Sequence, residues 1–153
     1  MKGAILEKER NYTQLNLFLP IIKEIICSYN WLLTDIDSDY SSENLHISNY
    51  DFLSGKDFQK LIVEETCTYA WGVFSAVSPE VPIEKVLENG LPYANGYTGF
   101  WENPITIQNK LASIEMVIWD GEMALIISRD EKVVNGFLDY YTLSEELEKY
   151  NNR

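Results

Sequence analysis

The side chains best suited to chemistry in this chain are carboxylates, and they are concentrated in one stretch. Residues 24–55 contain no Lys or Arg but six acidic residues, which are Glu24, Asp35, Asp37, Asp39, Glu43 and Asp51. These six supply half of the net charge of −12, which follows from 24 acidic and 12 basic side chains. A surface of this sign attracts cations and basic proteins, and it repels nucleic acids and anionic membranes. We therefore expect neither a nucleic acid nor a membrane as a partner.

Three of these carboxylates have the spacing of a calcium-binding loop. Asp35, Asp37 and Asp39 match the first, third and fifth ligand positions of an EF-hand. However, Tyr40 stands where the sharp turn requires Gly, and His46 stands where a bidentate Glu should complete the coordination shell. Charges on an exposed strand edge, where they prevent pairing with other chains, explain the spacing better. The sequence thus predicts no metal here and no other cofactor.

Aromatic residues form a second group of candidates, in residues 89–104, which we call the aromatic loop. Its sequence, NGLPYANGYTGFWENP, predicts a long ordered loop, and loops of this length within compact domains often have a function. Tyr93, Tyr97 and Trp101 offer stacking faces for a sugar or a cationic metabolite, and Glu102 offers a charge or a hydrogen-bond acceptor. The alternative is that the rings only fasten the loop to the core.

The sequence contains no recognisable catalytic set. The single histidine, His46, lies between Leu45 and Ile47, and no nucleophile motif accompanies it. Cys27 and Cys67 are too few for a disulfide framework and lack the spacing of a zinc site, so we expect reduced thiols and a cytoplasmic location. A pair of carboxylates could still act as acid and base in a weak hydrolase, but no pair stands out.

The acidic stretch has to be positioned by a strand. Residues 31–37 alternate as a strand does, which places Trp31, Leu33, Asp35 and Asp37 on one face. The sequence therefore predicts a row of carboxylates along one strand face.

Further strands are predicted around this one. Residues 2–7 read as an opening strand, and the β-branched and aromatic run 66–77 reads as a central strand buried on both faces. Two apolar runs within 113–128 flank Asp120-Gly121, which suits a type I′ turn, so this segment predicts a hairpin.

Helices are predicted between and after the strands. One covers residues 12–27, with Pro20 as a bend or a restart, and one of about three turns follows Ser54. A last helix follows the capping box of Thr142 and Glu145. Together these elements predict one α+β domain over residues 1–153, with a mostly antiparallel sheet, helices packed on one face, and a C-terminal β-hairpin followed by helices.

Several short segments resemble a small bacterial family that is known only as a domain of unknown function. They are Met1-Lys2-Gly3-Ala4-Ile5, Leu19-Pro20-Ile21, Tyr29-Asn30-Trp31, Gly55 with Phe58 and Ile62, Tyr69 with Val73-Phe74, and Ser113-Ile114-Glu115-Met116 running into Asp120. The resemblance implies a single-domain bacterial protein. It brings no catalytic or binding residue that could be transferred to this chain.

Our leading hypothesis is a non-catalytic binding protein that docks a basic protein partner. Its binding residues would be Asp35, Asp37, Asp39, Tyr40 and Glu43, which combine electrostatic steering with an aromatic anchor. In this respect the chain resembles the small acidic immunity proteins that neutralise basic nuclease toxins. The alternatives are a small-ligand or carbohydrate binder built on the aromatic loop, and a homodimer that extends its sheet across a two-fold axis.

Overall fold

The computed structural model describes residues 1–7, 13–38, 49–64 and 68–153. Within these residues, eight strands form one antiparallel sheet, and five helices accompany it. The strands are β1 (Lys2–Glu7), β2 (Thr13–Gln14), β3 (Asn30–Ser38), β4 (Tyr50–Ser54), β5 (Thr68–Val77), β6 (Ala112–Trp119), β7 (Met123–Ser128) and β8 (Glu145–Glu146). The helices are α1 (Leu19–Ile22), α2 (Gly55–Glu64), α3 (Ile83–Leu87), α4 (Glu131–Tyr140) and α5 (Leu147–Asn151).

The order of strands across the sheet is β4-β3-β5-β6-β7-β1-β8, and β2 pairs with the first residues of β5. The predicted α+β class and antiparallel sheet are therefore confirmed. The central position of β5, between β3 and β6, also agrees with its apolar sequence, because both of its faces are buried.

The hairpin of β6 and β7 forms where the sequence predicted it. Asp120 and Gly121 have φ values of 50° and 65°, and positive φ at both central residues is what a type I′ turn requires. The N–H of Gly121 also donates to the carbonyl of Ala70, at 2.8 Å. This bond joins the tip of the hairpin to the beginning of β5.

The two faces of the sheet are covered differently. Helices α1, α2 and α4 pack on one face, where Phe58 lies 4.7 Å from Trp31 between ring centroids. The other face is covered by residues 78–111, which join β5 to β6 and include α3, and by α5. We call residues 78–111 the covering connection. The prediction that helices pack on one face thus holds for α1, α2 and α4, whereas the short helices α3 and α5 pack on the other face.

Two helix boundaries differ from the predicted ones. In place of a helix over 12–27, the described residues form a 3₁₀ turn at Leu15–Phe18 and then α1, with Pro20 in its first turn. Proline lacks an N–H, so it is tolerated at the start of a helix and not in its interior. Glu145 belongs to β8 and pairs with Ile5 of β1, so the predicted capping box does not form and α5 begins at Leu147. Among the described residues, no helix is long and apolar enough to cross a membrane.

Candidate functional site

A bulge in β3 changes the face on which the acidic residues lie. The pairing of β3 with β5 shifts register between Thr34 and Asp37, and Asp35 has a φ of 51°. Positive φ is uncommon for non-glycine residues and is best tolerated by Asp, Asn and His. Trp31 and Leu33 face the helices, whereas the carboxylate of Asp35 reaches the opposite face. The prediction that Trp31, Leu33, Asp35 and Asp37 share one face is therefore wrong at Asp35, and it is also wrong at Asp37, which pairs with Trp71 on the face opposite the helices.

The carboxylate of Asp35 fastens the aromatic loop to the sheet. Its Oδ2 accepts hydrogen bonds from the N–H groups of Ala94 and Asn95, at 2.8 and 2.9 Å. Ala94 is buried against the sheet face that the covering connection occupies. Asp35 is half-buried, so in this structure it acts on the protein's own backbone.

Asp37 instead begins a row of side chains that crosses five strands. Asp37 of β3 lies opposite Trp71 of β5. Trp119 of β6 lies opposite Met123 of β7, and Met123 lies opposite Glu7 of β1. The rings of Trp71 and Trp119 join the two halves of the row, with 5.0 Å between their centroids. Directly opposed residues in an antiparallel sheet point to the same face. The row therefore places three apolar side chains between two carboxylates.

Two further rings lie over this row. Trp101, from the aromatic loop, is 5.0 Å from Trp119 and 5.8 Å from Tyr150 of α5, between centroids. All four rings are half-buried, so each keeps an accessible part. The tip of the hairpin adds the exposed residues Asp120 and Glu122. We call this group the acidic-aromatic surface; it comprises Trp71, Trp101, Trp119, Tyr150, Glu7, Asp37, Asp120 and Glu122.

Arg153 shows how a cation binds at one edge of the acidic-aromatic surface. Its guanidinium lies 4.9 Å from the centroid of the Tyr150 ring, pairs with Glu7 at 3.8 Å, and also pairs with Glu145. Burial raises the pKa of the Tyr150 hydroxyl, and the negative charge of Glu7 raises it further. A cation over a ring face with carboxylates around it is a favourable arrangement in proteins.

The predicted ligand residues of the aromatic loop lie in a continuous series of ring contacts. Tyr93 packs on Tyr97 at 5.3 Å, and Tyr97 packs on Phe100 at 4.7 Å. Tyr93 is 47% exposed and Glu102 is exposed, whereas Tyr97 and Trp101 are half-buried. The loop is also held internally, because the backbone of Tyr93 and the side-chain amide of Gln108 exchange two hydrogen bonds, at 3.1 and 2.7 Å.

A buried glutamate lies beneath the covering connection. Glu115, on β6, is 0% exposed. Its Oε2 accepts a hydrogen bond from the N–H of Gln108 at 3.1 Å, while its Oε1 has no partner. Burial raises the pKa of this carboxyl to about 8, although the bond from Gln108 lowers it in part. Thr34 and Ser75 on the same sheet face also have buried hydroxyl oxygens without partners.

The other predicted binding residues, Asp39, Tyr40 and Glu43, lie outside the described residues, as does His46. Within the ranges that the structure describes, no group of three or more His, Cys, Asp or Glu side chains is arranged to hold a metal ion. Of the predicted acidic and aromatic residues, the structure brings Asp37 and Trp101 to one surface.

Several residues of this site were missed by sequence reasoning. Trp71 and Trp119 were assigned to strands, but their meeting depends on the pairing of β5 with β6, which one sequence does not specify. Glu115 could have been recognised from the sequence, because it is a charged residue inside the apolar run from Ile114 to Trp119. Such a residue in a strand that is buried on both faces indicates an unusual environment.

No known protein family matches this chain, and neither a curated protein nor a solved structure is similar to it.

Proposed function

We propose that this chain is a non-catalytic binding protein that docks a basic protein partner on the acidic-aromatic surface. The observation that carries the proposal is the row from Asp37 through Trp71 and Trp119 to Glu7. Half-exposed tryptophans are typical anchors of protein interfaces, and carboxylates at the rim attract a partner of opposite charge. The net charge of −12 strengthens that attraction over the whole molecule.

The arrangement of Arg153 supports a basic partner over a neutral one. Its guanidinium stacks on Tyr150 and pairs with Glu7 and Glu145. An Arg or Lys side chain of the partner can make the same two kinds of contact with Trp71 and Asp37. This mode of binding suits the immunity-protein analogy, in which a small acidic protein covers a basic nuclease toxin.

The proposal can be tested by affinity capture from a bacterial cytoplasm at low and at high salt. The parent chain is compared with the triple variant Asp37→Lys, Asp120→Asn, Glu122→Lys. Asp120 is changed to Asn because its φ of 50° disfavours Lys. We expect the parent to retain a basic protein at low salt and the variant to lose it. Failure of the parent to retain any basic protein would contradict the proposal.

A second candidate function, that of a small-ligand or carbohydrate binder or a weak hydrolase, is favoured by the exposure of Tyr93. Its ring makes an edge-to-face contact with Tyr97 and remains 47% exposed, and Glu102 is exposed on the same loop. A thermal-shift screen of sugars and amines tests this candidate, because a ligand that binds the folded state raises its melting temperature. Trp101→Ala, which removes a stacking face of the loop, should then abolish the shift.

A further inference from the structure

Glu115 takes no part in the acidic-aromatic surface, yet it is a fully buried carboxyl in the middle of the sheet. Its cross-strand neighbours are Ser75 on β5 and Ile127 on β7, and neither carries a charge. The covering connection lies over it and contributes one hydrogen bond, from the N–H of Gln108.

The surroundings of Glu115 suit a neutral carboxyl and not an ionised one. Within the described part of the chain no Lys or Arg forms an ion pair with it. Burial first, and Glu115 second, raise the pKa of the Tyr97 hydroxyl, so this phenol also stays neutral near pH 7. An ionised carboxylate in such a place has one hydrogen bond and no counter-charge, which is costly.

We propose that the covering connection closes over Glu115 with the uptake of one proton, so that this carboxyl acts as a proton-dependent latch. When the connection is closed, Oε2 of the neutral carboxyl accepts a hydrogen bond from the N–H of Gln108, and the buried Oε1 has no partner among the described residues that would stabilise a negative charge. When the connection lifts, water reaches the carboxyl, which then releases the proton to solvent. Closing and protonation are therefore linked.

The pKa values agree with this geometry. The ordinary pKa of a glutamate is 4.5, and the pKa of Glu115 in the closed state is about 8. At a pH between these two values, Glu115 holds a proton in the closed state and has lost it in the open state. Rising pH within that window consequently favours the open state.

The latch bears on docking because the covering connection carries Trp101, which lies against Trp119. This consequence rests on the function proposed above. The latch itself is tested on the isolated chain, so the two proposals can fail separately.

The test is amide hydrogen exchange of the covering connection across pH 5 to 9, corrected for the intrinsic pH dependence of exchange. We expect the local opening constant to rise by about tenfold for each pH unit up to pH 8 and then to level off. The Glu115→Gln variant, which keeps the shape and removes the ionisation, should show no such rise. Glu84→Gln, an exposed carboxylate on α3, is the matched control and should behave like the parent.

A local opening constant that does not change with pH in the parent would overturn the proposal, and this result requires no variant to fold. Equal pH profiles for the parent and for folded Glu115→Gln would overturn it as well. Equal opening constants with the same slope in the covering connection and in the amides of β6 and β7 would show that only global unfolding exposes Glu115, and this result would also reject the latch.

Discussion

At the scale of single residues, Glu115 makes the stability of this protein depend on pH. The folded chain keeps a proton on this carboxyl up to about pH 8, whereas an unfolded chain loses it near the ordinary pKa of 4.5. Folding therefore takes up a proton between these two values. The contribution of Glu115 to the free energy of unfolding must fall as pH rises through this window.

We expect Glu115→Gln to remove this pH dependence. Each unit of pKa difference corresponds to about 1.4 kcal/mol, so the parent should lose a few kcal/mol between pH 5 and pH 8 relative to the variant. Urea denaturation of both chains at several pH values measures the difference. Parallel stability curves for the two proteins would show that Glu115 is not the group responsible.

Asp35 is the residue that joins the sheet to the aromatic loop. Asp35→Ala should lower the free energy of unfolding by about 2 to 3 kcal/mol, because two N–H groups lose a charged acceptor and Ala is placed at positive φ. Asp35→Asn is the matched control and should cost about 1 kcal/mol, since Asn tolerates that backbone and keeps an acceptor oxygen. Equal losses in the two variants would indicate that the carboxylate does not fasten the loop.

The role of Asp35 could not be predicted from the sequence. Strict alternation holds for Trp31 and Leu33, and it fails where the bulge adds a residue to β3. Because a bulge depends on pairing with the neighbouring strand, its position cannot be read from the local sequence. Asp37, two residues later, returns to a paired position opposite Trp71.

At the scale of elements, the start of α2 is fixed by close backbone contact. A Cβ at Gly55 would lie 2.2 Å from the carbonyl oxygen of Ile26 and 2.6 Å from the Cα of Cys27. Both are backbone atoms, so neither can turn aside as a side chain would. The N–H of Asp57 also donates to the hydroxyl oxygen of Ser54 at 3.1 Å, and this bond caps the start of the helix.

We expect Gly55→Ala to destabilise the protein by about 3 kcal/mol or more, since the helix must move away from its neighbour. Gly136→Ala serves as the control, because a Cβ at Gly136 within α4 meets no atom within 4 Å. That substitution should stabilise by about 0.5 to 1 kcal/mol through helix propensity. Thermal or urea denaturation compares the two, and similar effects of both changes would contradict the packing described for α2.

Elements with strong local patterns were predicted well, and those determined by distant contacts were not. The hairpin of β6 and β7 follows from Asp120-Gly121 between two apolar runs. In contrast, Glu145 has the spacing of a helix cap, yet it pairs with Ile5. That contact spans nearly the whole chain, and propensity cannot anticipate it.

At the scale of the whole molecule, the proposed docking combines net charge with an aromatic surface. Charge steers the encounter and is screened over about 10 Å at 0.1 M salt, whereas ring contacts persist at high salt. Trp71→Ala should therefore weaken binding of a captured partner by about tenfold or more at every salt concentration. Surface plasmon resonance at several salt concentrations measures this. An effect confined to low salt would mean that Trp71 is not an anchor.

The most direct test of the proposed docking surface compares two variants that change the net charge equally. One is Asp37→Lys, Asp120→Asn, Glu122→Lys on the acidic-aromatic surface. The other is Glu80→Lys, Glu84→Lys, Glu88→Gln, which alters exposed residues near the opposite end of β5. Binding of the captured basic partner to each is measured beside the parent. We expect the first variant to lose at least about tenfold in affinity and the second to stay close to the parent. Equal losses in both would contradict a defined docking surface and leave only attraction by net charge.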